Sequence, residues 1–312
     1  MATVCITGST GFIGQHLAQT LGSFTEHKLM LPVRDIQSCG TAGDITVFAD
    51  LSDITEDYFA KNSCDVVIHL AARAHVTSEY LTDPLQEFRK VNCHLTLDLA
   101  RKAAAAGVKR FIFLSSIGVN GISNLKPFKV TDKPAPVESY AVSKLEAEIG
   151  LLEVAKSTGM EFVIIRPPLV YGPKAPGNFG KLTALVKSGI PLPLGAVNNK
   201  RSMVSLGNLT NLITTCIDAP QAGNQTFLVS DDYDLSTTTL LRMMAKATGQ
   251  SLLLLPVPVS LLKIAARVVG KQGMIDRLCG NLQIDIEHTK NTLNWRPIVT
   301  VQEAINQCFS KD

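Results

Sequence analysis

The sequence has no excess of either charge: 30 Lys and Arg stand against 27 Asp and Glu, a net charge of +3. A protein that tracks phosphate backbones needs a concentrated basic face, so nucleic-acid binding is excluded as the main task. Cysteine is present seven times, an odd number, and no two residues sit at C-x-x-C spacing. A disulfide framework and a thiolate zinc site are therefore not expected, and the expected compartment is reducing and cytoplasmic. Long apolar runs are missing too. The greasiest stretch, Leu252 to Val259, contains two prolines, and Lys263 and Arg267 break the next run. None of these reaches the roughly 18 residues of a membrane span. Low-complexity tracts are absent, which excludes bulk disorder. His69, His75 and His94 have no acidic partners at ligand spacing, so no metal site is expected.

What is present is a regular alternation. Short apolar runs at Thr3–Thr7, Lys28–Val33, Ile45–Phe48, Val66–Leu70, Arg110–Ser115 and Phe162–Arg166 are separated by helical patterns at Ile13–Leu21, Pro84–Ala106 and Ser139–Ser157. Runs with little polar alternation suit strands buried on both faces, and their spacing predicts an α/β fold with a doubly wound parallel sheet. Gly107 stands where a helix C-cap glycine belongs. After Arg166 prolines and glycines cluster up to Gly195; a strand-like run at Thr226–Ser230 and helix candidates at Thr237–Thr248 and Val259–Val269 follow. The expected division is a dinucleotide-binding domain at 1–170 plus about 202–230, and a smaller substrate domain at 171–201 and 231–312. The helix at Val259–Val269 is expected to pack against that smaller domain rather than lie on a membrane, because its basic face is small.

Gly8, Gly11 and Gly14 form G-x-x-G-x-x-G between the first strand and the first helix. Glycines there permit a tight turn and let backbone N–H groups approach a pyrophosphate, while the helix N-terminus stabilises its charge. An acid or an arginine about 20 residues on reads the adenosine ribose. Arg34 lies 34 − 14 = 20 residues past Gly14 and favours NADP; the adjacent Asp35 keeps NAD open.

Tyr140 and Lys144 stand four apart on a helix, hence on one face. An ammonium beside a phenol stabilises the phenolate and is expected to lower a tyrosine pKa that is otherwise about 10. Ser115 and Ser116 end a strand at the sheet edge where such folds place ligands, and Ser116 precedes Tyr140 by 140 − 116 = 24 residues. A hydroxyl there is suited to hold the same substrate oxygen as the phenol.

With GSTGFIG, FIFLSS and YAVSK together, the chain resembles the extended short-chain dehydrogenase/reductase family, and within it the nucleotide-sugar epimerases, dehydratases and reductases. The resemblance implies that Ser116, Tyr140 and Lys144 are catalytic. It places Phe12 and Ile13 beside the pyrophosphate turn, Asp50 and Leu51 by the adenine, and Leu70, Ala71, Ala72 and Arg73 along the cofactor. Asn92 and Pro167 join the cofactor positions, the latter within IIRPPLVYGP behind the nicotinamide. Asn178 and Arg201 match contacts to the nucleotide diphosphate, TLNWRP matches a C-terminal signature, and Arg277 is a further candidate for a substrate phosphate. Arg73 and His75 are candidates for the substrate pocket. Val119-Asn120-Gly121 and Asn208 depart from the family pattern. The family also pairs the helix at Pro84–Ala106 with the tyrosine-bearing helix of a second subunit, implying a homodimer. The implied reaction is oxidoreduction at C4 of a UDP-linked sugar. Arg34 tilts this reading to a 4-keto-sugar reductase using exchangeable NADPH; a 4-epimerase with resident NAD is the alternative, and a non-catalytic NADP sensor or scaffold the reading from another class.

Overall fold

A computed structural model describes residues 1–35, 43–74 and 83–310; His75 lies outside them. Seven parallel strands form one sheet in the order β3-β2-β1-β4-β5-β6-β9. They are β1 Thr3–Thr7, β2 Lys28–Val33, β3 Asp44–Val47, β4 Val66–His69, β5 Arg110–Leu114, β6 Glu161–Arg166 and β9 Gln225–Leu228. Between β6 and β9 come β7 Leu169–Tyr171 and β8 Met203–Ser205, which pair with each other. The apolar runs form strands because both pleat faces are covered. Val4, Ile6, Val66, Ile68, Ile112, Val163 and Ile165 point into one buried cluster. Their neighbours Cys5, Val67, Phe111, Phe113, Phe162 and Ile164 point into another. Burying each such aliphatic or aromatic side chain contributes about 1.5–3 kcal/mol.

The first cluster is closed by α1 (Phe12–Phe24) through Leu17 and Leu21, and by α7 (Leu206–Asp218) through Leu209, Leu212 and Ile213. The second is closed by α2 (Glu56–Lys61), α4 (Leu95–Ala105) and α5 (Ser139–Thr158). Right-handed crossovers in a parallel sheet put helices on both faces, and the chain reverses its winding between β1 and β4. Open α/β sheets place their ligands at such a switch point, beyond the carboxyl ends of the strands.

Gly107 ends α4 as expected. Its φ is +82°, its N–H donates to Ala104 O, and the next N–H, from Val108, donates to Ala103 O. Those two bonds make a Schellman cap. The stretch expected as one helix from Pro84 to Ala106 is instead α3 (Pro84–Arg89), a π-turn at Lys90–His94 and then α4. The Thr96 hydroxyl donates to the Asn92 carbonyl at 2.9 Å within the π-turn.

A third cluster lies beside the sheet. It gathers Tyr171, then Phe179 and Val186 of α6 (Gly177–Lys187), Leu240 and Met244 of α8 (Thr237–Thr248), and Ile305 of α12 (Val301–Gln307). Helix α6 occupies part of the stretch up to Gly195 where prolines and glycines cluster: Gly177, at φ +66°, turns the chain and Phe179 and Leu182 anchor the helix. Helices α9 (Val259–Val268), α10 (Gln272–Cys279) and α11 (Glu287–Leu293) complete the chain.

Candidate active site

The glycine turn joins β1 to α1 at the switch point. Gly8 has φ +76°, and a Cβ there would lie 2.7 Å from Ala71 N. A Cβ on Gly14 would meet Gly8 O at 2.1 Å. Both positions are closed to side chains by the protein itself. Gly11 differs: it is exposed, its backbone is ordinary (φ −79°, ψ 170°), and a Cβ would meet only Gly8 O, at 3.3 Å. Neither the fold nor the turn demands glycine at 11, whereas a ligand lying flat against the backbone does. Gly11 caps α1 without a side-chain bond, leaving the first-turn N–H groups to a ligand. Ser9 Oγ, in the same turn, is buried without a hydrogen-bond partner. The turn therefore fits a dinucleotide pyrophosphate.

At the adenosine end, Arg34 is exposed just past β2. The Asp50 carboxyl sits below its ordinary pKa because the N–H and hydroxyl of Ser52 donate to it, with a further contribution from the Arg34 charge. Asp50 caps the short 3-10 turn that Leu51 begins, so its first observed task is local. Phe12 and Ile13 are half-buried, packed towards the third and first clusters respectively.

Beyond β4, Leu70 and Ala71 are half-buried and Ala72 and Arg73 exposed. Asn92, fully buried, grips this segment: its Oδ1 accepts from Arg73 N at 2.9 Å, and its Nδ2 donates to Arg73 O at 3.1 Å. The same Nδ2 donates to Ser143 Oγ, which donates to the Tyr140 carbonyl at 2.7 Å. Asn92 thus connects the cofactor-lining strand end to the tyrosine helix. The Arg73 side chain is taken by Glu87 at 3.1 Å rather than offered to a pocket. His69 is held between the hydroxyls of Thr7 (2.7 Å) and Thr96 (3.0 Å), and burial lowers its pKa to about 3. It is a neutral core residue.

The three candidate catalytic residues stand on neighbouring segments, Ser116 just past β5 and Tyr140 and Lys144 on α5. Lys144 Nζ donates to Leu114 O at 2.8 Å and lies 4.2 Å from the centre of the Phe113 ring. Ser116 follows and accepts from Gly118 N at 3.1 Å. A Cβ on Gly118 would touch both Ser116 Oγ, at 3.3 Å, and Ala141 Cβ, at 3.2 Å. Glycine at 118 therefore lets the serine loop sit directly on the first turn of α5, beside Tyr140. Phe88 packs edge-on against the Tyr140 ring, centroids 5.9 Å apart. Pro167 O accepts from Ile117 N and ties β6 to the same loop.

One expectation is corrected. Burial pushes the Tyr140 phenol up to about 12, not down, and lowers Lys144 to about 7 against a smaller raising influence of Glu148. Desolvation disfavours phenolate and ammonium alike, and the ammonium is directed to the Leu114 carbonyl and the Phe113 ring.

Beneath this constellation lies a buried network that the sequence did not announce. Ser115 Oγ donates to Glu148 Oε1 at 2.5 Å, and Arg166 donates to both Glu148 oxygens at 3.0 and 2.5 Å. Arg166 also donates to Asn120 Oδ1 at 2.9 Å. The unusual Asn120 is thus a buried acceptor for Arg166. The available signal was the placement of Glu148 four residues past Lys144, about one helical turn on.

The substrate-side residues are spread more widely. Asn178 is exposed in the first turn of α6. Arg201 is half-buried, and its Nη1 donates to the carbonyls of Arg277 (2.7 Å) and Gly280 (3.1 Å) at the end of α10. Arg277 does not stand free for a phosphate: it forms an ion pair with Glu138, the residue capping α5 two positions before Tyr140. Glu138 and the buried Asn199, which donates to Leu278 O and Gly280 O, were missed. Asn208 is fully buried and satisfied, donating to Asp231 and Val299 O and accepting from the N–H groups of Ile298 and Val299. An amide, with donors and acceptors both, suits that position where a carboxylate has acceptors only.

Comparison with known proteins bears on this site as a whole. The NAD dependent epimerase/dehydratase family matches residues 4–230. A UDP-glucose 4-epimerase of Vibrio cholerae is 45% identical over 308 residues, covering 98% of this chain and 94% of that protein. Among solved structures, a Thermotoga maritima UDP-glucose 4-epimerase with UDP-glucose superposes at a TM-score of 0.80 and 21% identity, covering 98% of this chain and 97% of that one. A Bacillus cereus UDP-glucuronic acid 4-epimerase in complex with NAD superposes at 0.79 and 18% identity, covering 98% and 97%.

Proposed function

The chain belongs to the NAD dependent epimerase/dehydratase family, and from that premise we propose that it is a 4-epimerase of a UDP-linked sugar with NAD as its resident cofactor. The observation that carries this reading is the 45% identity to a UDP-glucose 4-epimerase along 98% of the chain. The 4-keto reductase reading rested on Arg34 and gives way: the relative at 45% identity is a UDP-glucose 4-epimerase, and a neighbouring solved epimerase is in complex with NAD. A sensor or scaffold without catalysis is not retained, because Ser116, Tyr140 and Lys144 are all present and the 45%-identical relative is an epimerase.

NAD, held by the glycine turn at Gly8, Gly11 and Gly14 and by the segment from Leu70 to Arg73, supplies reversible hydride exchange with C4 of the sugar. Tyr140 takes the proton of the C4 hydroxyl and returns it to the ketone once the sugar presents its other face. Ser116 donates a hydrogen bond to the same oxygen and shares its developing charge. A phenol raised to about 12 favours the protonating half of the cycle. The deprotonating half depends on the Lys144 ammonium to stabilise the phenolate. Asn178 and Arg201 bind the uridine diphosphate, joined by Arg277 once it leaves Glu138, so remote binding energy positions the sugar ring. Residues 1–170 with about 202–230 hold the dinucleotide, and 171–201 with 231–312 hold the substrate. The exposed Ile149 and Leu152 on α5 support a homodimer through the helices spanning 84–105 and α5 of two copies.

The test is incubation of the purified protein with UDP-glucose, then UDP-N-acetylglucosamine, with no cofactor added. Proton NMR is expected to show the C4 epimer of one of them. Steady NADPH oxidation with a UDP-4-keto-6-deoxy sugar, and no epimer from either hexose, overturns the proposal.

A further inference from the structure

Helix α9 turns much of its apolar surface outwards. Leu262 is buried in the third cluster and Ala266 is buried too, but Leu261, Ile264 and Val268 are 55%, 58% and 84% exposed. Positions 261, 264 and 268 recur at helical spacing and share one face, away from the packed one. Val269, just past the helix, is 64% exposed, and Met274 on α10 is 53% exposed. Seven of the nineteen exposed large hydrophobic side chains among the described residues fall between 253 and 274. The packing expected from the sequence is therefore only half made. An apolar surface of this kind marks a place where something else docks.

The charges say what. From 259 to 275 the chain carries Lys263, Arg267 and Lys271 and no acidic residue; Asp276 follows and pairs with Lys263 at 3.6 Å, so Arg267 and Lys271 carry the positive charge of this face. A second copy of the same face brings these cations against their equivalents, because a two-fold interface sets a patch against itself. The outward face is aliphatic throughout, without the aromatic anchors that concentrate energy in protein interfaces. It is a convex helix side, which fits a yielding surface better than a shaped groove. Aliphatic side chains flanked by cations on a helix lying along a surface are what an anionic lipid headgroup layer takes up.

We propose that α9 and the turn into α10 dock the protein on anionic lipid membranes, with Leu261, Ile264 and Val268 entering the headgroup layer, Arg267 and Lys271 facing lipid phosphates, and Lys263 joining them on leaving Asp276. The binding is peripheral and reversible: no helix among the described residues is long and apolar enough to cross a membrane. It does not rest on the reaction assigned above.

Vesicle flotation of the full-length protein tests it, using phosphatidylcholine alone and phosphatidylcholine with phosphatidylglycerol. The protein is expected to float with the second only, and to be released by salt. Leu261→Ser/Ile264→Ser/Val268→Ser is expected to lose flotation while keeping the wild-type circular dichroism spectrum and melting temperature. Lys263→Gln/Arg267→Gln/Lys271→Gln is expected to weaken binding by about fivefold or more per charge. Failure of the wild type to float with anionic vesicles overturns the proposal, as does flotation unchanged by the serine substitutions. An oligomer in sedimentation that the serine substitutions dissociate, without vesicle binding, assigns the face to a second copy or protein partner and overturns it equally.

Discussion

Where β5 meets α5, polar groups are buried and mutually satisfied; on α10, they are exposed and held by single ion pairs. Arg166 and Glu148 are 7% and 4% exposed and share Ser115 and Asn120 as further partners. Arg277 and Glu138 are 59% and 44% exposed and hold only each other. The first arrangement fixes atoms in place, since every displaced group would be stranded away from water. The second costs little to open, since water replaces what is lost. The difference teaches that the edge carrying Tyr140 and Lys144 is set in advance while the α10 side is left free to adjust.

Four experiments break or sharpen that contrast. Tyr140→Phe is expected to lower kcat by about 10²–10⁴-fold while cofactor binding, followed by dinucleotide fluorescence, stays as in the wild type. Turnover within a few-fold of wild type would remove Tyr140 from the proton path. Arg166→Ala leaves the Glu148 carboxylate buried without its partner and is expected to cost about 3–5 kcal/mol in urea unfolding. A loss below about 1 kcal/mol, the range of exposed pairs, would erase the contrast with α10.

The third experiment uses pH. Lys144 titrates at about 7 in the folded chain and near 10.5 when unfolded. Between those values the unfolded state binds the extra proton, so stability rises with pH from about 7 towards 10.5. Below pH 7 both states are protonated and burying the charge costs its full amount. Lys144→Met is expected to abolish this rise and to melt higher than wild type at pH 6. A wild-type profile that is flat over that window would show the ammonium to be better solvated than its burial implies. The smallest effect is expected from Glu138→Gln, which frees Arg277. Unfolding should change by no more than about 0.5 kcal/mol. KM for the UDP-sugar should fall while kcat holds, because Arg277 no longer has a carboxylate to leave.

Much of the reacting edge was legible in advance because its signals are local. Three glycines at fixed spacing, a strand ending in Ser115-Ser116, and Tyr140 four residues before Lys144 each need only a few neighbours to be read. Strand positions β1 and β2 and helix α8 match their expected bounds residue for residue. The partners of long reach were not legible. Nothing near Glu148 in the chain indicates Arg166, 18 residues away, and nothing near Glu138 indicates Arg277, 139 residues away. The π-turn at 90–94 was hidden because it contains no glycine or proline to mark a break; the departure pairs with the buried grip of Asn92 on Arg73.

The sequence by itself determined the parallel sheet, the dinucleotide turn and the family, since apolar periodicity and glycine spacing are properties of neighbouring residues. Only the tertiary structure decided the electrostatics. Whether Lys144 lowers the phenol of Tyr140, which cation meets which carboxylate, and which face of α9 is covered all depend on desolvation. Desolvation is set by what the rest of the chain packs around a group, and no local stretch of sequence contains it.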